Sequence, residues 1–129
     1  MKKVFTILGV LTLIIVAIVL SIIAYWSRPQ NFDFALLMPN EMEYCGQIID
    51  EGNANYKELK RWFSVSQESW ENTPVTYVPR YEFSSNTMTV NILNSSVVVN
   101  YQSSEKEWNQ VVRVSTSGPQ FEECPEPKL

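Results

Sequence analysis

Met88-Thr89-Val90-Asn91-Ile92-Leu93-Asn94-Ser95-Ser96-Val97-Val98-Val99-Asn100-Tyr101 is the stretch that decides the fold. Met88, Val90 and Ile92 alternate with Thr89 and Asn91, and Val97, Val99 and Tyr101 resume the alternation after Asn94-Ser95. Successive side chains of a strand point to opposite faces, so a period of two gathers the apolar set on one side of a sheet. Asn94-Ser95 between two such runs predicts a tight turn, and with it an antiparallel hairpin.

Reading toward the C-terminus, the polar run Ser103-Ser104-Glu105-Lys106 makes a second turn. Trp108, Gln110, Val112 and Val114 form a third strand that ends at Ser115–Pro119. Toward the N-terminus, Val75, Tyr77, Tyr81 and Phe83 keep the same period, with Pro79 marking an edge strand or a break. Asn72-Thr73-Pro74 stops any helix before it. Asn55-x-x-Glu58 has capping-box spacing and opens a helix whose stripe is Tyr56, Leu59 and Phe63. Lys57, Lys60 and Arg61 fall largely off that stripe, and Trp70 packs near the helix end. An earlier helix is expected from Asn40-x-x-Glu43, with Met42, Cys45, Ile48 and Ile49 at helical intervals, weakened by Gly46 and followed by the loop Glu51–Ala54. The expectation is an α+β domain of about two helices on a three- or four-stranded antiparallel meander. One face of the meander buries the Tyr56/Leu59/Phe63 stripe, which assigns the aromatic residues to core rather than to a ligand-stacking platform.

The first residues belong to another environment. Val4–Ser27 carries no charged residue, with Lys2-Lys3 before it and Arg28-Pro29 after it. As a helix, Val4–Trp26 would be ~35 Å long, enough for a hydrocarbon core of ~30 Å. A cleaved signal peptide is the rival, but its apolar region is usually ~7–15 residues and ends at an A-x-A-like site. The nearest small-residue sites, Val19-Leu20-Ser21 and Ile22-Ile23-Ala24, are poor matches, and Tyr25-Trp26 close the run as interfacial aromatics. Residues 1–27 are therefore read as an uncleaved anchor, 28–32 as a linker and 33–129 as one extracytoplasmic domain. The expected location is a bacterial inner membrane, crossed once through Val4–Trp26, with the domain in the periplasm.

Of 10 basic residues, Lys2 and Lys3 precede the apolar run, leaving eight against 14 acidic residues and a formal charge of −6 on the remainder. That balance disfavours nucleic acid and favours a basic partner. Cys45 and Cys124 are the chain's only cysteines; outside the cytoplasm they are expected to pair, closing an 80-residue loop counting both.

No catalytic, cofactor or metal site is expected. The chain has no histidine, so it lacks the ordinary imidazole base and the common nitrogen ligand for zinc. No C-x-x-C occurs, and no lysine is singled out to activate a serine. Glu41, Glu43, Asp50 and Glu51 cluster in sequence, but a domain this small seldom builds the sugar-sized cleft that two catalytic carboxylates need. Asp50-Glu51-Gly52-Asn53 lacks the alternating ligand spacing of an EF-hand loop.

The expected role is protein binding at a membrane rather than catalysis. In layout the chain resembles the small immunity proteins that bacteria keep in the periplasm against toxins injected by neighbouring cells. The resemblance lies in the anchor, the acidity and the cysteine pair, and no diagnostic residue carries over. It implies a partner with a basic contact surface, a toxin whose active site the domain would block. The alternative is an accessory subunit of a cell-envelope complex, in secretion, pilus or division machinery. Gly9 has no second glycine four residues away, so the G-x-x-x-G helix-packing pattern is absent. The expected contact residues lie on exposed turns: Asn94, Ser95 and Ser96, and Ser103, Ser104, Glu105, Lys106 and Glu107. Oligomeric state is left open.

Overall fold

A computed structural model describes the chain except for Thr116, Glu123 and residues 125–129; the side chain of Lys2 is also outside the description. An irregular end is expected from the sequence over Cys124-Pro125-Glu126-Pro127-Lys128-Leu129; beyond Cys124 it lies outside the described residues. α1 (Lys2–Trp26) is one continuous apolar helix, long enough to cross a membrane, and none of its apolar window is buried.

The domain is α+β. Its elements are α2 (Phe34–Leu37), β1 (Glu41–Tyr44), β2 (Gln47–Asp50), α3 (Ala54–Val65), β3 (Glu71–Asn72), β4 (Tyr81–Ser84), β5 (Met88–Ile92), β6 (Ser96–Gln102) and β7 (Trp108–Val114). The seven strands form one sheet in the order β2-β1-β4-β5-β6-β7-β3, every pairing antiparallel. The expected meander is β4 to β7, extended by the β1–β2 hairpin on one side and by the two-residue β3 on the other.

The helix expected from Asn40-x-x-Glu43 is instead that hairpin. Glu41 and Glu43 are exposed while Met42 and Tyr44 are buried, a period of two. Cys45 and Gly46 make the two-residue turn, both at positive φ (54° and 72°), the backbone shape that matches strand twist and that glycine takes without strain. The turn chemistry and the alternation together outweigh the capping-box spacing. α3 starts two residues earlier than expected: Asn53 Oδ1 accepts from the backbone N–H groups of Asn55 and Tyr56, at 2.8 and 3.4 Å. Its buried side is Tyr56, Leu59, Trp62 and Phe63.

One face of the sheet carries the core, covered by α2, α3 and the C-terminal segment. Phe34 and Trp70 meet edge to face with ring centroids 4.8 Å apart, and Phe63 and Trp62 pack around them. The buried indole N–H of Trp70 donates to the Ser66 carbonyl at 2.8 Å, so this large ring enters the core with its polar atom satisfied. Phe121 packs on Tyr44, Tyr81 and Phe83, and the Tyr44 hydroxyl donates to the Glu122 carbonyl at 2.7 Å. Burial raises the Tyr44 pKa, which keeps that hydroxyl a donor. Cys45 and Cys124 are disulfide-bonded with Cα atoms 5.3 Å apart, pinning the C-terminal segment to the hairpin turn.

β7 is turned over relative to its sequence reading. Val99 pairs with Val111 and Val97 with Arg113, so Val111 and Arg113 share the core face. Trp108, Gln110, Val112 and Val114 lie on the outer face, and Trp108 is 54 % exposed. Val111-Val112 leaves the register ambiguous by one residue, and a one-residue slip exchanges the faces. Arg113 holds its guanidinium over the Trp62 ring at 5.8 Å, with Nε and Nη1 buried and no acceptor among the described residues.

Residues 73–80, expected as a strand through Val75 and Tyr77, are a strap without strand pairing of their own. They connect β3 at one edge to β4 beyond β5, and so cross the outer face. Gln110 Nε2 donates to the carbonyls of Thr73 and Val75, at 2.9 and 2.7 Å, holding the strap down. Beneath it Val98 is fully buried, although its neighbours Val97 and Val99 point the other way. Pro74 and Pro79 have no N–H to give a ladder, which is why the period-two pattern here does not become a strand.

Candidate partner-binding surface

The outer face divides into three zones along the strand order. At the β2-β1-β4 side, cross-strand register sets Glu41 opposite Asp50, Glu43 between Ile48 and Ser84, and Glu82 opposite Asn91. Glu41, Glu43, Asp50 and Glu82 are all exposed, and β1, β2 and β4 contain no lysine or arginine. Ile48 adds an apolar side chain, 66 % exposed, beside Glu43. The middle of the face is neutral and polar, with Ser84, Thr89, Asn91 and Asn100 in strand positions. The β7 side carries Trp108.

These carboxylates sit on this face because of the pleat. In β1 the apolar Met42 and Tyr44 take the core positions, which leaves Glu41 and Glu43 outward; in β4 Tyr81 and Phe83 do the same for Glu82. Among the described residues they form no group able to hold a metal ion; they are spread over a surface rather than converged on a point. Like charges directly opposite one another, as Glu41 and Asp50 are, destabilise a sheet slightly. A cationic partner surface would relieve that repulsion.

Two of the three cations of α3 are engaged by carboxylates outside this zone. Lys60 pairs with Glu51, and Arg61 binds both oxygens of Glu58, at 2.7 and 2.9 Å. The Arg61 hydrogen bonds hold the Glu58 carboxyl below its ordinary pKa, while desolvation opposes the shift. These exposed pairs add little stability.

The two turns expected to contact a partner do not form one surface. Leu93–Ser96 closes β5 to β6 through a hydrogen bond from Leu93 N–H to the Ser96 carbonyl at 2.9 Å, with Asn94 and Ser95 exposed at its tip. Ser103–Glu107 closes β6 to β7, with Lys106 at positive φ (62°) and its N–H donating to Ser103 at 2.9 Å. They lie at opposite ends of the seven-residue β6, ~20 Å apart. The acidic face reaches neither turn, so three separate regions are available. The sequence groups Glu41, Glu43, Asp50 and Glu51 as a cluster on an expected helix and the loop after it, whereas the first three stand on β1 and β2. Glu82 was missed, and the Tyr81-Glu82-Phe83 alternation was the signal for it. Set against protein-family models, curated proteins and solved structures, the chain matches none of them.

Proposed function

We propose that the chain is a membrane-anchored protein-binding domain of the bacterial periplasm, held in the inner membrane by α1. In this reading it is an immunity protein that binds an antibacterial toxin and blocks its active site, with the acidic outer face as the contact. The observation that carries the reading is the concentration of Glu41, Glu43, Asp50 and Glu82 on three adjacent strands that hold no basic residue. The long apolar helix and the Cys45–Cys124 bridge support a location outside the cytoplasm. A single-sign face on a rigid sheet speeds encounter with an oppositely charged partner by roughly 10–1,000-fold, and the gain falls as salt rises.

The test is genetic, in a strain where a toxin gene adjoins this one. Deleting the gene should make cells sensitive to toxin-bearing siblings, and the wild-type gene should restore resistance. A Glu41→Lys/Glu43→Lys/Glu82→Lys variant should fail to restore it at equal membrane abundance. A Glu105→Lys/Glu107→Lys variant in the β6–β7 turn should restore it fully; the reverse order would move the contact to that turn. Deletion mutants that resist their siblings as well as the parent does would refute immunity and favour the envelope-complex subunit.

A further inference from the structure

We infer that the groove between the end of α1 and the β7–β3 edge of the sheet is seated in the headgroup layer of the membrane, with Trp108 as its anchoring side chain. The inference rests on the reading of α1 as a membrane span. It makes the domain a body docked on the bilayer surface rather than one free on a tether.

The connection leaves little slack. α1 ends at Trp26, and Gln30 is already fixed to the domain: its N–H donates to the Trp70 carbonyl at 2.7 Å and its carbonyl accepts from Trp70 N–H at 3.0 Å. Phe32, also read as linker, donates to the Gln67 carbonyl at 2.8 Å. Ser27, Arg28 and Pro29 separate the helix from this attachment, so Gln30 lies within ~14 Å of the helix end even if the chain is fully extended. Trp70, which receives Gln30, is itself fully buried, so this attachment is part of the core.

What faces the helix end has the chemistry of a headgroup layer. Tyr25, Trp26 and Trp108 line one open groove of about 880 Å³, together with Arg28, Asn72 and Gln110. Tyr25 and Trp26 are 71 % and 65 % exposed at the end of the apolar run, where aromatic side chains collect at a membrane–water boundary. Trp108 opens onto the same groove from the domain side, an indole that the domain leaves 54 % exposed. A partner helix filling this space would press Arg28, Glu71 and Asn72 against apolar surface, at a cost for each polar group left unpaired. Hydrated headgroups accept the indole and the polar groups together. Glu71, Glu105 and Glu107 lie near this end, so the attraction is aromatic, and neutral lipid should suffice. The acidic positions of β1 sit four strand spacings from β7, ~19 Å, and stay clear of the seat.

The experiment uses the full chain with its disulfide intact, in phosphatidylcholine vesicles containing a lipid that carries a nitroxide on its headgroup. A fluorophore is attached without reductant at Glu71→Cys, in the groove, or at Ser95→Cys, at the far end of β6. Emission at position 71 should be quenched and emission at position 95 unchanged. Adding Trp108→Ser should weaken the quenching at 71 without lowering the melting temperature, since the short tether still holds the domain near the surface. Equal quenching at the two sites, or none at 71, overturns the seat; quenching at 71 that Trp108→Ser leaves undiminished removes Trp108 as its anchor. Carbonate extraction of the same vesicles separates the two levels. A protein that washes off has no membrane span, whereas one that stays with position 71 unquenched has a span but no seat.

Discussion

Trp70→Ala is expected to destabilise the domain by ~3–5 kcal/mol, the range for removing a fully buried aromatic side chain. The ring meets Phe34, Trp62 and Phe63, its indole N–H is bonded to Ser66, and its backbone receives Gln30. A domain of this size has only ~5–15 kcal/mol in total, so the variant should be largely unfolded well below the wild-type transition. Trp108→Ala, which removes an equally large but exposed ring, should shift stability by less than ~0.5 kcal/mol. Urea unfolding followed by near-ultraviolet circular dichroism measures both. Comparable losses for the two would mean that Trp108 is packed and that the face assignment of β7 is wrong.

Cys45→Ala/Cys124→Ala should come next in size. The bridge closes an 80-residue loop, and the chain-entropy model puts its removal at up to ~4.5 kcal/mol. The loss is felt at one place in the folded state. Freed from Cys124, the segment holds on through Phe121 against Tyr44, Tyr81 and Phe83, the Tyr44–Glu122 hydrogen bond and the Trp62 indole N–H donating to the Ser117 carbonyl at 3.2 Å. The variant should therefore fold, with a lower urea midpoint and a steeper dependence on denaturant, because its unfolded chain is more expanded. A midpoint unchanged from wild type would show that the bridge constrains nothing in the unfolded chain.

The legible parts of the fold were those where burial follows a local period. Met88/Val90/Ile92 and Val97/Val99/Tyr101 alternate because one face packs on a core, and the Tyr56/Leu59/Phe63 stripe follows the helical period for the same reason. The misreadings share a different cause. In residues 40–49 the cap spacing was local and competed with a turn whose force comes from two positive-φ residues. In β7 the apolar run Val111-Val112 carries no phase, and the core position at 113 is occupied by an arginine stacked on Trp62. In residues 73–80 the alternation exists in sequence, but two prolines and the need to cross three strands turn it into a strap. The acidic face was harder still to foresee. It assembles from β2, β1 and β4, whose neighbourhood is set by the long-range pairing of Tyr44 with Phe83.

The strand order also sets a hierarchy of assembly. β4, β5, β6 and β7 pair in the order in which they are made, joined by short turns, so this quartet can zip from hairpin to hairpin with little loop-closure entropy. The flanks cannot: Tyr44 must find Phe83 and Glu71 must find Val112, each across a long intervening chain. Gln30 has no place to bind until Trp70 is set, and the disulfide needs Cys124, near the end of the chain, to reach Cys45. The quartet is thus expected to form first, with both flanks and the terminal clasp added after it, an order that pulse-labelled amide exchange during refolding would read. The acidic outer face is split by this boundary: Glu82 rides on the quartet, whereas Glu41, Glu43 and Asp50 ride on a flank that joins it only through long-range pairing.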